Sequence, residues 1–252
     1  FPGLSAGWVI SEENFFEPLK DVFSFFKLKG SWGMMGNDNI TAYQYLSMYS
    51  FNTDSYYAFG KTPVSVQSIY ETVTANPLVT WETAKTWNIG FSSQFLNGKL
   101  GLDLDYFQSN RNDILITRNA SIPTYSGLSL PAENLGKVKN HGFEAIATYR
   151  DSKGDFEWGV TGNVTYAKNE VVYADEAADT PAWQRETGHP IDGGTYYKAL
   201  GIYQTQEQIE STPHLSGTKI GDLIYQDTNK DGNITWDDAV RRDKSATPKW
   251  IF

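Results

Sequence analysis

Two alternating runs joined by an Asn-Gly dipeptide constrain the fold more strongly than any other feature of this sequence. Apolar residues fall at alternate positions on both sides of the dipeptide: Trp87, Ile89, Phe91 and Phe95 before it, and Leu100, Leu102, Leu104 and Tyr106 after it. Period-two alternation predicts strands with one apolar and one polar face. Asn97-Gly98 is a strong hairpin signal, because a type I′ turn needs positive φ at two successive residues. The segment therefore predicts an antiparallel hairpin.

The same pattern recurs elsewhere in the chain. Apolar and polar residues alternate over 143–149 and 156–166, and the polar stretch 151–154 between them predicts a second tight turn. Residues 2–8 and 26–34 provide two further candidate strands. We therefore expect an all-β fold built from antiparallel strands.

The connections between these strands alternate in length. The turns at 96–99 and 151–154 are tight, whereas the links at about 37–80, 108–135 and 173–248 are long and rich in Gly, Pro, Asn, Asp and Tyr. A compact soluble domain rarely contains three structureless links of that length. Outer-membrane barrels have short periplasmic turns and long extracellular loops. This asymmetry predicts an antiparallel transmembrane β-barrel segment with long extracellular loops.

Aromatic residues gather near the predicted tight turns. Phe95, Tyr149, Phe156 and Trp158 lie within a few residues of these turns, and Trp8 lies beside another short link. Aromatic residues favour strands in general, which explains each one taken singly. Their collection at one end of several strands favours a lipid–water boundary, where Tyr and Trp are enriched.

Composition excludes several classes of protein. No stretch approaches the ~20 apolar residues of a transmembrane helix, while a barrel is compatible with the mean hydropathy of -0.46. The chain has no cysteine, which excludes disulfides and Cys-ligated metals. A net charge of -9 argues against nucleic acid as a partner. The start at Phe1 shows no signal-peptide pattern, and we expect it to lie inside a longer chain.

One motif has the spacing of a calcium-binding loop, at 227–238. The predicted oxygen ligands at positions 1, 3, 5, 7 and 12 are Asp227, Asn229, Asp231, Asn233 (through its carbonyl) and Asp238. Gly232 at position 6 permits the sharp turn, and Asp238 stands where Glu is usual. An all-oxygen cage favours Ca²⁺, with Mg²⁺ as the rival. The alternative is an Asx-rich turn without an ion.

A tyrosine-rich stretch falls in the first long link. Tyr43, Tyr45, Tyr49, Tyr56 and Tyr57 are candidate ligand-binding residues, because flat rings can stack on sugar or peptide ligands. The alternative is that these rings pack the loop against itself or against a partner.

No catalytic residues are predicted. The histidines, His141, His189 and His214, are scattered without a partner at ligand spacing. Carboxylates such as Asp105 and Glu144 lie on the polar faces of alternating strands, where a water-filled lumen needs polar residues. The sequence has no phosphate loop and no nucleophile elbow. We expect the protein not to be an enzyme.

Several segments, in order, resemble the SusC/RagA-type TonB-dependent receptors of Bacteroidetes. The resemblance covers essentially all of residues 1–252 and rests on FPGLSAGWVISEE, FFKLKGSWGMMGND, ANPLVTWETAKTWNIGFSSQFLNGKLGLDLDYF, ENLGKVKNHGFEAIATYR, FEWGVTGNVTYAKNEV, GDLIYQDTNKDGNITWDDAV and TPKWIF. It implies part of a barrel of about 22 strands, from the C-terminal half of such a receptor. Phe252 would then be a truncation point, because TPKWIF opens a further strand in this family.

The resemblance also implies strand positions, partners and function. Six strands and the start of a seventh are expected, at roughly 1–9, 25–36, 80–95, 99–115, 139–150 and 155–172, with 173–248 as a long extracellular loop. The implied parent is a bacterial outer-membrane importer of oligosaccharides or oligopeptides. Its implied partners are a SusD-like surface lipoprotein, outer-membrane lipid, a glycan or peptide substrate, and the TonB complex, which would act through parts outside this chain.

A second interpretation accounts for some of the same features. A soluble, calcium-stabilised β-sandwich that binds carbohydrate, as an adhesin or lectin module does, would explain the alternation, the calcium loop and the tyrosines. It would not explain why tight and very long links alternate, or why aromatics gather at one end.

Overall fold

The structure, a computed structural model, describes residues 1–59, 61, 64–118 and 130–252, without the side chains of 52–59, 64–67 and 73. In chain order the strands are β1 (Gly3–Val9), β2 (Phe23–Asn37), β3 (Met48–Phe59), β4 (Val64–Val73), β5 (Glu82–Phe95), β6 (Leu100–Thr117), β7 (Ala132–Lys153), β8 (Phe156–Tyr173), β9 (Thr195–Tyr196), β10 (Ala199–Ile202), β11 (Leu223–Tyr225), β12 (Val240–Arg241) and β13 (Trp250–Ile251), and helix α1 (Gln206–Ser211) follows β10.

A seven-stranded antiparallel sheet dominates the structure, in the order β1-β2-β5-β6-β7-β8-β13. Each strand therefore pairs with the next strand of the sheet along the chain, which is up-and-down connectivity. The six predicted strands and the start of a seventh are confirmed. The main difference is length, because β7 begins at Ala132 and β6 runs to Thr117. In the described part of the chain, no helix is both long and apolar enough to cross a membrane.

The two tight turns lie at the same end of the sheet. Between β5 and β6, Leu96, Asn97 and Gly98 all have positive φ, and the Lys99 N–H donates to the Leu96 carbonyl over 3.3 Å. The expected left-handed Asn-Gly pair is confirmed, with Leu96 as an additional left-handed residue. The predicted turn at 151–154 is displaced: β7 continues to Lys153, and the chain reverses at residues 154 and 155.

The long links contain structure of their own, so the prediction that they are structureless is wrong. β3 and β4 form a separate hairpin within 37–80. Within 173–248, β9 pairs with β12 and β10 pairs with β11. Tyr203, Ile209 and Ile234 are buried beside these pairs, so this long loop has a small core. Residues 119–129 of the remaining link are not described.

Strand register gives the sheet one apolar face. Residues paired across antiparallel strands point to the same side, and one such row runs Gly30, Ile89, Tyr106, Phe143 and Tyr166. The next row towards the tight turns contains Trp8, Leu28, Phe91, Leu104, Ala145 and Val164. Ile89 is 59% exposed and Val160 is 62% exposed. An apolar face of this kind, open to its surroundings, suits contact with lipid.

The opposite face of the same strands is polar. The row between the two apolar rows contains Lys29, Gly90, Asp105, Glu144 and Thr165. On the apolar face, side chains such as Leu28, Trp32 and Ile89 remain exposed, so no second sheet covers them among the described residues. A β-sandwich would need a second sheet packed on the first, so the sandwich interpretation is wrong.

Aromatic rings cluster at the tight-turn end, as predicted. Phe23 and Phe95 lie 4.7 Å apart between ring centroids, and Tyr149 and Trp158 lie 5.4 Å apart. Phe16, from the short 3₁₀ segment Asn14–Leu19, is buried against the same cluster. These contacts fix the aromatic residues at one boundary of the apolar face.

Candidate functional site

The loop at 227–238 is held by hydrogen bonds from its own backbone to its side-chain oxygens. Asp227 accepts from the Lys230 N–H over 2.6 Å and from the Gly232 N–H over 2.9 Å. Asn229 Oδ1 accepts from the Asp231 N–H over 3.0 Å, and Asp231 Oδ1 accepts from the Asn233 N–H over 2.7 Å. Gly232 has φ +86°, a value that favours glycine. These bonds hold the residues at positions 1, 3 and 5 of the motif in one tight loop.

Asp238 closes this loop from its far end. Its side chain is fully buried, and its oxygens accept from the N–H groups of Thr228 at 2.7 Å, Asn229 at 3.2 Å and Thr235 at 2.9 Å. Burial by itself raises the pKa of Asp238, but the N–H groups of Thr235, Asn229 and Thr228 outweigh it, so the pKa lies below its usual value. Asp238 therefore stays ionised, and its hydrogen bonds hold the two ends of the loop together.

The five predicted metal ligands thus belong to one compact loop, but they differ in how many hydrogen bonds their oxygens already accept. Asp227, Asn229 and Asp231 keep unused oxygen lone pairs, whereas Asp238 already accepts three backbone bonds. Among the described residues, no group of three or more His, Cys, Asp or Glu side chains is placed to hold a metal ion, and two of the five predicted ligands are asparagines. Metal binding stays a prediction.

The predicted tyrosines divide into two sets. Tyr43 and Tyr45 have ring centroids 6.5 Å apart with a 47° angle between planes, and both rings are more than half exposed. Tyr49, on β3, is 64% exposed. The side chains of Tyr56 and Tyr57 lie outside the described residues. The structure therefore brings Tyr43 and Tyr45 together on an open surface and places Tyr49 on the neighbouring hairpin.

Asn76 fixes the tyrosine pair to the barrel wall. Its side chain is buried, its backbone N–H donates to the Gln44 carbonyl over 2.8 Å, and its Nδ2 donates to the Ala132 carbonyl at the start of β7 over 2.7 Å. Sequence reasoning missed this residue, because a single Asn in a polar loop gives no signal of burial.

Asp192 anchors the segment that returns to the sheet. Its carboxylate accepts from Ser245 Oγ at 2.6 and 2.7 Å and from both the N–H and the hydroxyl of Thr247 at 2.9 Å. The Ser245 hydroxyl first, and then the two Thr247 donors, lower the pKa of Asp192 to about 2 against the opposing effect of desolvation. This contact ties the end of the long loop 173–248, just before β13, to the middle of the same loop. A single Asp in a polar loop gives no sequence signal of such an anchor.

The polar face carries an ion pair that crosses one strand. Lys29 Nζ on β2 lies 2.7 Å from Asp105 Oδ2 on β6, and Gly90 of β5 lies between them in the same row. A Cβ at position 90 would come closer than 3.0 Å to the Leu104 carbonyl oxygen and to Asp105. Glycine is therefore required for this close approach.

A family model described as TonB dependent receptor-like, beta-barrel, matches residues 2–249. The chain belongs to this family. The expected resemblance is confirmed, and with it the all-β fold as an unclosed part of a barrel. As in the family, the location is the outer membrane.

Individual relatives agree with this assignment. TonB-dependent receptor P26 of Formosa agariphila is 27% identical over 95% of this chain and 24% of its own length. TonB-dependent receptor SusC of Bacteroides thetaiotaomicron is 31% identical over 79% of this chain and 19% of its own length. A structure of the RagAB peptide importer superposes with a TM-score of 0.69 at 20% identity, covering 98% of this chain and 26% of that one. The chain spans about a quarter of the length of these relatives.

Proposed function

We propose that the receptor to which this barrel segment belongs imports oligosaccharides or oligopeptides across the outer membrane, with energy from TonB and with a SusD-like lipoprotein as partner. The observation that carries the proposal is a single sheet with one lipid-compatible face and one polar face, joined to long loops at one end. A closed wall of this kind encloses a polar lumen. Similarity to the RagAB peptide importer supports the oligopeptide class, and exposed tyrosine rings suit either class of substrate.

The proposed ligand contacts are the open rings of Tyr43, Tyr45 and Tyr49. Aromatic rings provide flat, rigid surface that stacks on sugar faces or packs on peptide side chains at little entropic cost. The bond from Asn76 to the Gln44 carbonyl holds the turn between Tyr43 and Tyr45, so these two rings need little ordering when a ligand binds. Tyr56 and Tyr57 belong to the same proposal by position in the chain.

Uptake by cells tests the proposal. A strain without the receptor gene, complemented with full-length receptor, should regain uptake of either a labelled oligosaccharide pool or a labelled oligopeptide pool. Replacing Tyr43, Tyr45 and Tyr49 by Ala should weaken binding of the active pool at least about tenfold, at about 0.5 kcal/mol or more per ring. Tyr196→Ala, an exposed tyrosine of the other long loop, is the matched control. Recovery of neither pool would refute import of these substrates.

We also propose that the loop 227–238 binds Ca²⁺ in a structural role. Asp227, Asn229 and Asp231 would supply side-chain oxygens and Asn233 its carbonyl, which is the oxygen-rich environment that a hard cation prefers. Asp238 would contribute at most one further oxygen, because it already accepts three backbone bonds. An incomplete protein cage leaves positions to water, so weak affinity is expected, and Mg²⁺ is the rival ion.

Calcium titration with a matched pair of variants tests this second proposal. Ca²⁺ should release or absorb heat with full-length receptor and should slow proteolysis within 215–240 relative to chelator. Asp231→Asn should reduce both effects, whereas Asp237→Asn, at an exposed carboxylate outside the predicted ligands, should leave them unchanged. No heat and no protection with either Ca²⁺ or Mg²⁺ would establish the loop as an ion-free Asx turn.

A further inference from the structure

Three lysines lie on the apolar face, in the two rows that follow its last apolar row. One row beyond Ile89, at the end of the sheet away from the tight turns, the paired residues are Trp32, Trp87, Gln108, His141 and Lys168. The following row contains Met34, Lys85, Asn110, Lys139 and Glu170. We call Lys85, Lys139 and Lys168 the lysine belt. It lies on strands β5, β7 and β8 of the lipid-compatible face, and β6, between β5 and β7, contributes Gln108 and Asn110 to the same rows.

The position of the lysine belt corresponds to the edge of the membrane. Eight residues separate Phe95 from Trp87 on β5, which is about 27 Å along a strand and about 21 Å along the membrane normal at a tilt of about 40°. The apolar band of a membrane barrel is about 25 Å tall and ends in aromatic residues, here Trp32 and Trp87. Lys168 is level with these indoles, and Lys85 and Lys139 lie one row beyond them. All three reach the depth of lipid headgroups.

Among the described residues the belt lysines form no close ion pair, although Glu170 is paired directly with Lys139 across β7 and β8. Within the described part of the chain, none of the three has an acidic group within 4.0 Å. At the opposite end of the sheet the arrangement differs, because Lys99 pairs with Asp151 and Lys20 pairs with Glu17. The single acidic residue within these two rows is Glu170. Three ammonium groups against one carboxylate leave a net positive surface.

We propose that the lysine belt binds the phosphate groups of an anionic lipid in the outer leaflet of the membrane. Charge complementarity favours a polyanionic headgroup, and the belt continues the lipid-facing band, so that acyl chains could lie on the Ile89 and Phe91 rows while phosphates contact the ammonium groups. Gln108 and Asn110, which lie in the same two rows, supply further polar contacts. The proposal rests on membrane placement and is independent of what the receptor transports.

Native mass spectrometry of the full-length receptor in detergent tests the proposal. The probes are a bis-phosphorylated lipid A, the same lipid with its phosphates removed, and inorganic phosphate. Each lysine near an anionic surface contributes about fivefold to binding, so the variant Lys85→Gln/Lys139→Gln/Lys168→Gln should retain the phosphorylated lipid on the order of 100-fold less well than the wild type. The dephosphorylated lipid should be retained weakly and equally by both.

Further variants separate charge from folding. The triple replacement by Arg keeps the charge and should keep the lipid. Glu170→Gln removes the one opposing carboxylate and should increase retention. Lys27→Gln, on the polar face, should have no effect. Equal retention of the two lipids, unchanged retention by the Gln variant, or displacement of the lipid by inorganic phosphate at equal concentration would overturn the proposal.

Discussion

Gly90→Ala is the substitution for which the structure makes the sharpest stability prediction. Gly90 lies on the polar face between Lys29 and Asp105, in a strand paired on both sides. An added Cβ would come closer than 3.0 Å to the Leu104 carbonyl oxygen, which belongs to the backbone and cannot rotate away. It would also come closer than 3.0 Å to the Asp105 carboxylate, which would have to move from Lys29.

The expected cost has two parts. Forcing a methyl group into a closed space costs about 1–3 kcal/mol. Loss of the Lys29–Asp105 pair adds about 0–1 kcal/mol, because both side chains are about one-third exposed and solvent screens the pair. Gly33→Ala provides the matched control. Gly33 lies on β2 and, like Gly90, on the polar face, and a Cβ there would have nothing within 4 Å. Ala in a strand is favoured over Gly by about 0.5–1 kcal/mol, so Gly33→Ala should be neutral or stabilising.

Urea unfolding of the full-length receptor in lipid vesicles, followed by tryptophan fluorescence, measures the difference between these variants. Gly90→Ala should lower the free energy of unfolding by about 1–4 kcal/mol relative to wild type. In an Asp105→Ala background the cost should be smaller by at least the share of the ion pair, about 0–1 kcal/mol, because the clash with the Asp105 carboxylate is removed as well. Equal unfolding midpoints for the Gly90 and Gly33 variants would refute the argument from close approach.

Three further predictions follow from the two faces and the long loop. Ile89→Arg should destabilise the barrel in lipid by up to about 2–4 kcal/mol, whereas Ser92→Arg on the polar face should cost much less, and equal costs in the same unfolding assay would contradict the assigned faces. Asp238→Asn should expose 227–238 to protease even without calcium. The Asp238 carboxylate accepts three backbone hydrogen bonds, and each buried group that is left unsatisfied costs about 1–3 kcal/mol. The pKa of Asp192 is lowered in the folded protein to about 2, so its anchoring of residues 245–247 should be complete above about pH 4 and be lost as the pH falls towards 2; hydrogen exchange at the Thr247 amide against pH, with Asp192→Asn as the pH-insensitive comparison, measures this.

The sheet was predictable from sequence because its signal is local and repeated. Every strand that contacts lipid on one side and polar surroundings on the other must alternate, and Ile89, Leu104 and Val164 report that constraint independently. The turn at Asn97-Gly98 was equally predictable from sequence, because positive φ at two successive residues favours Asn followed by Gly. The second turn was misplaced because Asp151, Ser152 and Lys153 are turn formers by composition, yet they continue the β7–β8 ladder.

The small structures within the long links were not readable in the same way. β9 pairs with β12 across more than 40 residues, and β10 and β11 contribute only four and three residues each. Pairs this short depend on the buried Tyr203 and Ile209 rather than on any periodic pattern. In the calcium-type loop, the spacing predicts the left-handed glycine at Gly232, but not that Asp238 already accepts three backbone hydrogen bonds.

The ion pair across Gly90 also bears on how such a wall keeps its register. Slipping either neighbouring strand by one residue would turn all of its apolar side chains towards the lumen and its polar side chains towards lipid. Lys29 and Asp105 lie two strands apart, so they meet only when β2–β5 and β5–β6 are both in the native register. A slip would place one of these charges against lipid at about 2–4 kcal/mol near the midplane. The pair therefore contributes more to specifying one alignment of three strands than its own modest strength adds to stability.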